Sequence, residues 1–300
     1  MTDLSPNTFD SLRDKVVIVT GSSSGIGLEI AKKLSSLKAT VIIACRDENR
    51  GIEIHNQMNG NSEYINLDLS SFKSIDRFIR SINTKFSKVD ILINNAGVMG
   101  PPFSKTDEQL ELTFGVNYIG YYLLTNKMMP MLKEVKGSRV VNMSSIAQYK
   151  VKHIDWYNLN SQIHYDKWEA YALSNLFRMM FTVELEKKLR EKSYQTISLA
   201  CHPGVTITNL TRYMPRIVRS SVIAKLLNHS IFQTPYRAAM PALMAATSAL
   251  VTGGDFVGLD TKRQVRGNPK VVEPNELVFN QVLREKLWNK SVEITGVDLE

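Results

Sequence analysis

The chain has 300 residues, 43% of them hydrophobic and 22% charged, a balance that argues against both a disordered and a membrane-spanning chain and fits a folded domain with a sizeable core. A formal charge of +8 attracts polyanions in general, but the basic residues are scattered and no nucleic-acid motif accompanies them, so nucleic acid is set aside as a partner. Cys45 and Cys201 each sit in an apolar run and the histidines lack ligand spacing, which argues against a disulfide framework and a metal site.

Residues 1–15 are polar and carry no apolar stretch of signal-peptide or membrane-helix length, so a cytoplasmic location is expected. Residues 15–20 (KVVIVT) form a β-branched run ending at Gly21, followed by GSSSGIG and an apolar-periodic stretch over 28–37. That order reads as strand, glycine-rich turn, helix. Further buried strands are predicted at 40–44, 63–67, 91–94, 139–143 and 196–200. Helices are predicted between them, including one around 107–132 and a long one from about 168 to 190, and a helical segment closes the chain over 279–295.

Alternating strands and helices predict an α/β fold, a doubly wound Rossmann-type parallel sheet of six to seven strands with helices on both faces. No repeat or Pro/Gly/Ser linker divides the chain, so 1–300 reads as a single domain, with 100–103 and 268–274 as loops.

A helix that starts at a glycine turn directs unpaired N–H groups and a partial positive charge at whatever lies in front of it, and the absent side chains let a pyrophosphate approach. Gly21, Gly25 and Gly27, with Ser23, Ser24 and Ile26 between them, have this placement after the first strand. At the end of the second strand, where an acid would accept from both ribose hydroxyls, stand Cys45 and Arg46. A guanidinium there suits a 2′-phosphate and favours NADP(H) over NAD(H). The competing reading makes Arg46 a solvated helix-entry residue and Asp47 the cap of that helix.

TGSSSGIG at 20–27, NNAG at 94–97, Ser144-Ser145 after a strand and Tyr171 opening a long helix together resemble the short-chain dehydrogenase/reductase family. ACRD at the second strand, HPG at 202–204 and the ending KLWNKSVEITG look most like its retinol dehydrogenase and protochlorophyllide reductase-like branch. The resemblance covers nearly the whole chain. It implies that Asp68 and Leu69 lie at the adenine, that Asn95, Ala96 and Gly97 line the middle of the cofactor, and that Pro203, Gly204, Val205 and Thr208 flank the nicotinamide.

It also implies hydride transfer between NADP(H) and a lipophilic carbonyl or alcohol, with Tyr171 as general acid or base. Ser145 would bond the substrate oxygen, with Ser144 as the alternative, and Asn117 in FGVNY would hold a water in the proton relay. Family members place a lysine four residues after the tyrosine; here that residue is Asn175. At ~5 Å and an effective dielectric of ~20 a unit charge is worth ~3 kcal/mol, so its loss would raise a phenol by ~2 pKa units. Lys167 and Arg178 share the helical face but are not expected to reach both phenol and ribose. The alternative function is therefore an inactive NADP(H)-binding sensor or scaffold.

No Gly-x-Ser-x-Gly elbow is present, which disfavours a hydrolase. The loop before Tyr171 carries Trp156, Tyr157, His164, Tyr165 and Trp168, either an apolar pocket wall or a surface packing cluster. The segment at about 207–235 mixes apolar residues with Arg212, Arg216, Arg219 and Lys225 and reads as a substrate lid whose basic amphipathic character also permits contact with a lipid surface. A homo-oligomer is expected by analogy alone.

Overall fold

The computed structural model describes residues 9–58, 61–206 and 233–300. Its centre is an eight-stranded sheet in the order β3-β2-β1-β4-β5-β6-β7-β8. The strands are β1 (Val16–Thr20), β2 (Thr40–Cys45), β3 (Ser62–Asn66), β4 (Ile91–Asn94), β5 (Arg139–Met143), β6 (Ile197–Cys201), β7 (Phe256–Leu259) and β8 (Pro269–Val271). The first seven pair in parallel; β8 runs antiparallel to β7.

Both faces of the parallel strands are apolar because both are covered. Val17, Val19, Val41, Ile91, Ile93 and Val141 point to the face packed by α1 (Gly25–Ser36) and α7 (Pro235–Thr247). α2 (Glu48–Gln57) joins that face at Ile43 and Cys45. Ile18, Ile42, Leu92 and Val140 point to the opposite face, against α3 (Phe72–Lys85), α5 (Gly120–Leu132) and α6 (Lys167–Glu191).

The final helix, α8 (Gln281–Thr295), lies over α5 and α6. Trp288 stacks on Phe181 with centroids 5.8 Å apart and meets Tyr122 edge-on at 5.1 Å. Its indole donates to Asp298 at 2.7 Å, and Arg284 pairs with Glu184 at 3.1 Å. Among the described residues no helix is long and apolar enough to cross a membrane.

The six strands placed from the sequence stand within a residue or two of their expected positions; β7 is not among them, the sheet has eight strands against the six to seven expected, and two further features differ. Residues 268–274, expected as loop, include β8, whose backbone closes the β7 edge. The helix expected over 107–132 starts only at Leu112, after a bridge between Lys105 and Glu111, because the Glu111 carboxylate caps the N–H groups of Thr113 and Phe114. The turn α4 (Leu112–Phe114) then widens into a π-helical stretch, Gly115–Ile119, before α5 begins. The lid expected at 207–235 lies outside the described residues up to 232; Gln233 is buried under the 203–205 turn, and Thr234 caps α7.

Candidate active site

The strand order reverses between β1 and β4, which opens a crevice at the C-terminal ends of these strands. The glycine-rich turn enters it from β1. Gly21 takes φ +67° and its N–H donates to the Ala44 carbonyl at 2.7 Å. A Cβ on Gly27 would lie 2.4 Å from both Asn95 Nδ2 and the Gly21 oxygen, so glycine is required for this closeness. Ser24 at the N-cap is extended and makes no side-chain cap bond, and no acid occupies the first turn of α1. These free N–H groups, the positive end of a twelve-residue helix and the bare turn fit a pyrophosphate. Ser23 accepts from Arg50 Nε at 3.3 Å through its carbonyl, while Ile26 packs into the core.

Thr20, which opens the glycine-rich motif with no role assigned to it there, fastens this turn to the next strand. Its hydroxyl accepts from the N–H groups of Asn95 at 2.9 Å and Ala96 at 3.0 Å, and Asn95 Nδ2 donates to the Thr20 carbonyl at 2.8 Å. At the ribose end, Arg46 reaches Asp68 at 3.9 Å and is largely exposed, free to turn toward a ligand. Asp68 is fixed by Ser70, whose N–H and hydroxyl donate to its Oδ1. The Leu69 side chain is in the core. Asp47 does cap α2, accepting from Arg50 N at 3.0 Å.

On the far side, His202 holds the turn that follows β6. Its Nδ1 accepts from Gly204 N at 3.1 Å, so its Nε2–H faces Gln264 Oε1 at 2.6 Å. Burial pushes this imidazole down to about 4, partly offset by Gln264. Gln233 donates to the Pro203 carbonyl, and Val205 N donates to Val265, so 203–205 is braced from three sides. Thr208 lies outside the described residues.

The two serines after β5 separate cleanly. Ser144 is buried and donates inward to the Asn175 carbonyl at 2.9 Å, whereas Ser145 is half-buried at the cap of a 3-10 turn, its oxygen accepting from Ala147 N. Tyr171, half-buried, sits in the second turn of α6, whose start is fixed by Asp166 accepting from Trp168 N and Glu169 N. Asn175 is fully buried; its Nδ2 donates to the Tyr171 carbonyl at 2.7 Å.

Arg178 is buried beneath the crevice, its guanidinium bonded to groups other than the Tyr171 phenol. Its guanidinium donates to the Asn117 carbonyl, to the Met143 carbonyl at 2.9 Å, to Asn175 Oδ1 at 3.2 Å and to the Ala96 carbonyl at 3.1 Å. It stacks 4.3 Å from the Tyr121 ring centroid. Burial raises the Tyr121 phenol, and Arg178 opposes that rise. The π turn matters here, because a widened turn re-aims a carbonyl that an α-helix would direct along its axis. The Asn117 carbonyl accepts from Arg178, and the Asn117 amide clamps both backbone polar groups of Val98 and the Ser174 hydroxyl. Gly97 lies directly over the guanidinium, where a Cβ would stand 3.1 Å from Nη2.

The aromatic loop does not form one wall. Tyr165 bonds the Pro101 carbonyl and meets Phe103 edge-on, Trp168 packs on Gly100, Trp156 lies under Lys286, and Tyr157 and His164 are exposed. Lys167 is spent over the Trp168 ring, 5.3 Å from its centroid.

The family profile described as short chain dehydrogenase matches residues 15–217. Retinol dehydrogenase 13 of Mus musculus is 36% identical over 294 residues, 94% of this chain and 84% of its own length. Polyprenol dehydrogenase of Homo sapiens is 33% identical, covering 96% and 87%. A solved structure of an uncharacterised protein from Mycobacterium Paratuberculosis superposes with a TM-score of 0.81 at 30% identity, covering 97% of each chain. The active-site complex of Pseudomonas aeruginosa RhlG with NADP shares the fold at TM-score 0.65 and 23% identity, covering 85% of this chain and 98% of its own. The chain thus belongs to the short-chain dehydrogenase family, in its retinol dehydrogenase-like branch, and with it to the oxidoreductases that transfer hydride.

Proposed function

We propose that this chain is an NADP(H)-dependent oxidoreductase acting on a lipophilic aldehyde, ketone or alcohol, with Tyr171 exchanging the proton. The observation that carries this reading is the sorting of hydroxyls around the crevice. Ser144 and Ser174 are buried and bonded inward, whereas Ser145 and Tyr171 remain half-buried at its mouth. When bound, NADPH supplies the hydride. Ser145 orients the substrate oxygen and Tyr171 donates its phenolic proton as negative charge builds on that oxygen, leaving a phenolate that solvent reprotonates. In the oxidative direction Tyr171 takes the alcohol proton. Arg46 supports NADP(H), and the names of the retinol and polyprenol dehydrogenase relatives support a lipophilic alcohol or carbonyl.

A second reading, an NADP(H)-binding sensor or scaffold, is favoured by Asn175, whose amide is spent on Tyr171 and Arg178 and brings no cation to a ribose. In either reading the location is cytoplasmic, with lipid-surface contact assigned to the lid at about 207–235. A homo-oligomer would use a face other than α5 and α6, which α8 covers.

Paired fluorescence titrations with NADPH and NADH, followed by a carbonyl panel with the better binder, separate the two. We expect NADPH to bind at least about tenfold tighter and turnover to fall by roughly 100-fold or more in Tyr171→Phe. Tight NADPH binding without turnover on any carbonyl selects the second reading.

A further inference from the structure

His202 and Gln264 form a pair that no step of the proposed chemistry uses. Gly258 of β7 makes room for it, since a Cβ there would stand 2.5 Å from both His202 Nε2 and Gln264 Oε1. Gln264 lies in the loop 260–268 between β7 and β8 and holds a left-handed backbone at φ +50°. Glycine or asparagine adopts that conformation more readily than a long side chain does. A glutamine there gains nothing for the turn itself, so what it contributes is its side chain.

The bonds of that side chain run in one direction. A backbone N–H can only donate, so His202 Nδ1 accepts from Gly204 N at 3.1 Å and Nε2 carries the proton. Gln264 therefore turns Oε1 to the imidazole at 2.6 Å and its NH2 to the Tyr149 hydroxyl at 3.4 Å, and Tyr149 donates onward to the Glu273 carbonyl at 2.6 Å. The position needs a group that accepts at one end and donates at the other. An amide does both; a carboxylate or an alkyl chain does not.

The two ends of this chain of bonds lie on opposite sides of the crevice. One end is the turn after β6, where Val205 N also donates to the Val265 carbonyl at 2.9 Å and a Cβ on Gly204 would stand 2.4 Å from that oxygen. The other end is the 3-10 turn Ile146–Lys150, which Ser145 caps and which carries Tyr149. Asn275 fixes the exit of that turn, donating to the carbonyls of Gln148 at 2.8 Å and Val151 at 2.9 Å. A displacement at Tyr149 is therefore passed toward Ser145, four residues before it.

We propose that Gln264 is a positioning residue that couples these two turns: cofactor that orders 203–205 also orders the turn presenting Ser145, which brings that hydroxyl to the substrate oxygen once the hydride donor is in place. Hydride transfer is sensitive to such placement, because a 1 Å error far from the reacting atoms costs roughly 100-fold in rate. The inference rests on the reading that 203–205 flanks the nicotinamide and Ser145 meets the substrate oxygen. Its first readout is binding, not turnover.

The experiment measures amide hydrogen exchange by mass spectrometry in the full-length protein, with and without saturating NADPH, for the parent, Gln264→Met and Tyr149→Phe. Gln264→Met keeps the length of the side chain and removes both bonds. Tyr149→Phe cuts the far end alone and keeps the ring, so it carries the test if Gln264→Met does not fold. In the parent, NADPH slows exchange at both 202–206 and 145–151 by at least about fivefold; in the variants it still protects 202–206, but protection of 145–151 falls below about twofold. Steady-state kinetics then show kcat lower by about tenfold with KM for NADPH within about twofold. Protection of 145–151 that survives in a folded variant overturns the proposal. So does faster exchange at 145–151 by the same factor with and without NADPH, which marks a merely structural role. NADPH that protects neither segment in the parent removes the cofactor reading and the proposal with it. The expected exchange pattern in a protein that reduces no carbonyl leaves the coupling through Gln264 intact and removes the catalytic reading instead.

Discussion

Restoring a lysine at position 175 should damage this protein rather than repair it. Asn175 is fully buried, and its Oδ1 lies 3.2 Å from Arg178 Nη1. An ammonium in that space would stand ~5 Å from the guanidinium, a repulsion of ~3 kcal/mol at an effective dielectric of ~20. The lysine can escape by losing its proton, which from a reference pKa of about 10.4 costs ~4 kcal/mol at pH 7.5 and caps the charge penalty. Asn175→Lys is therefore expected to lose about 3 to 4 kcal/mol, roughly 5 °C of thermal midpoint in a chain of this size. The double variant Asn175→Lys/Arg178→Leu should recover about 3 kcal/mol relative to the sum of the single changes. Urea unfolding of the four proteins at pH 7.5, followed by circular dichroism, gives this coupling, and the deficit of Asn175→Lys should shrink as pH rises toward 10. Additivity within about 0.5 kcal/mol would falsify the placement of the guanidinium at residue 175.

Two further perturbations follow from the same geometry. Gly27→Ala forces a methyl to within 2.4 Å of Asn95 Nδ2 and the Gly21 oxygen, so it should lose about 1 to 3 kcal/mol and weaken NADPH binding at least about tenfold by fluorescence titration; parental affinity in a folded variant removes the cradle argument. His202 is held neutral, its pKa lowered from 6.5 to about 4, so the unfolded chain takes up its proton first. That contribution is complete above about pH 6.5 and is lost as pH falls toward about 4, amounting to ~3 kcal/mol. Urea midpoints at several values between pH 7 and 4 should fall less steeply in His202→Gln, and equal slopes in both proteins count against a buried neutral imidazole.

How much of this was legible in the sequence depended on whether the signal was local. The strands through β6 could be placed because both faces of a parallel sheet are buried, and runs such as VVIVT and TVIIAC have few other uses. β8 could not, since PKV has no apolar period and its pairing comes only from the β7 edge. The delayed start of the helix before Asn117 was hidden for a similar reason. The Glu111 cap and the π widening are tertiary choices, made to bring the Asn117 carbonyl onto Arg178.

The site itself was half legible. Glycines, NNAG, the serine pair and the tyrosine are tied to chain order, whereas Arg178 depends on three carbonyls from the loop after β4, the π turn and β5 that converge only once the sheet has formed. Helical spacing gave its face but not its partners, because most of those lie on other elements of the fold. A long side chain leaning back along the helix covers about one turn. A neutral residue at position 175 and a buried arginine at 178 therefore form one arrangement: the amide leaves room for the guanidinium and accepts from it, and a second cation at either position would lower the stability of both.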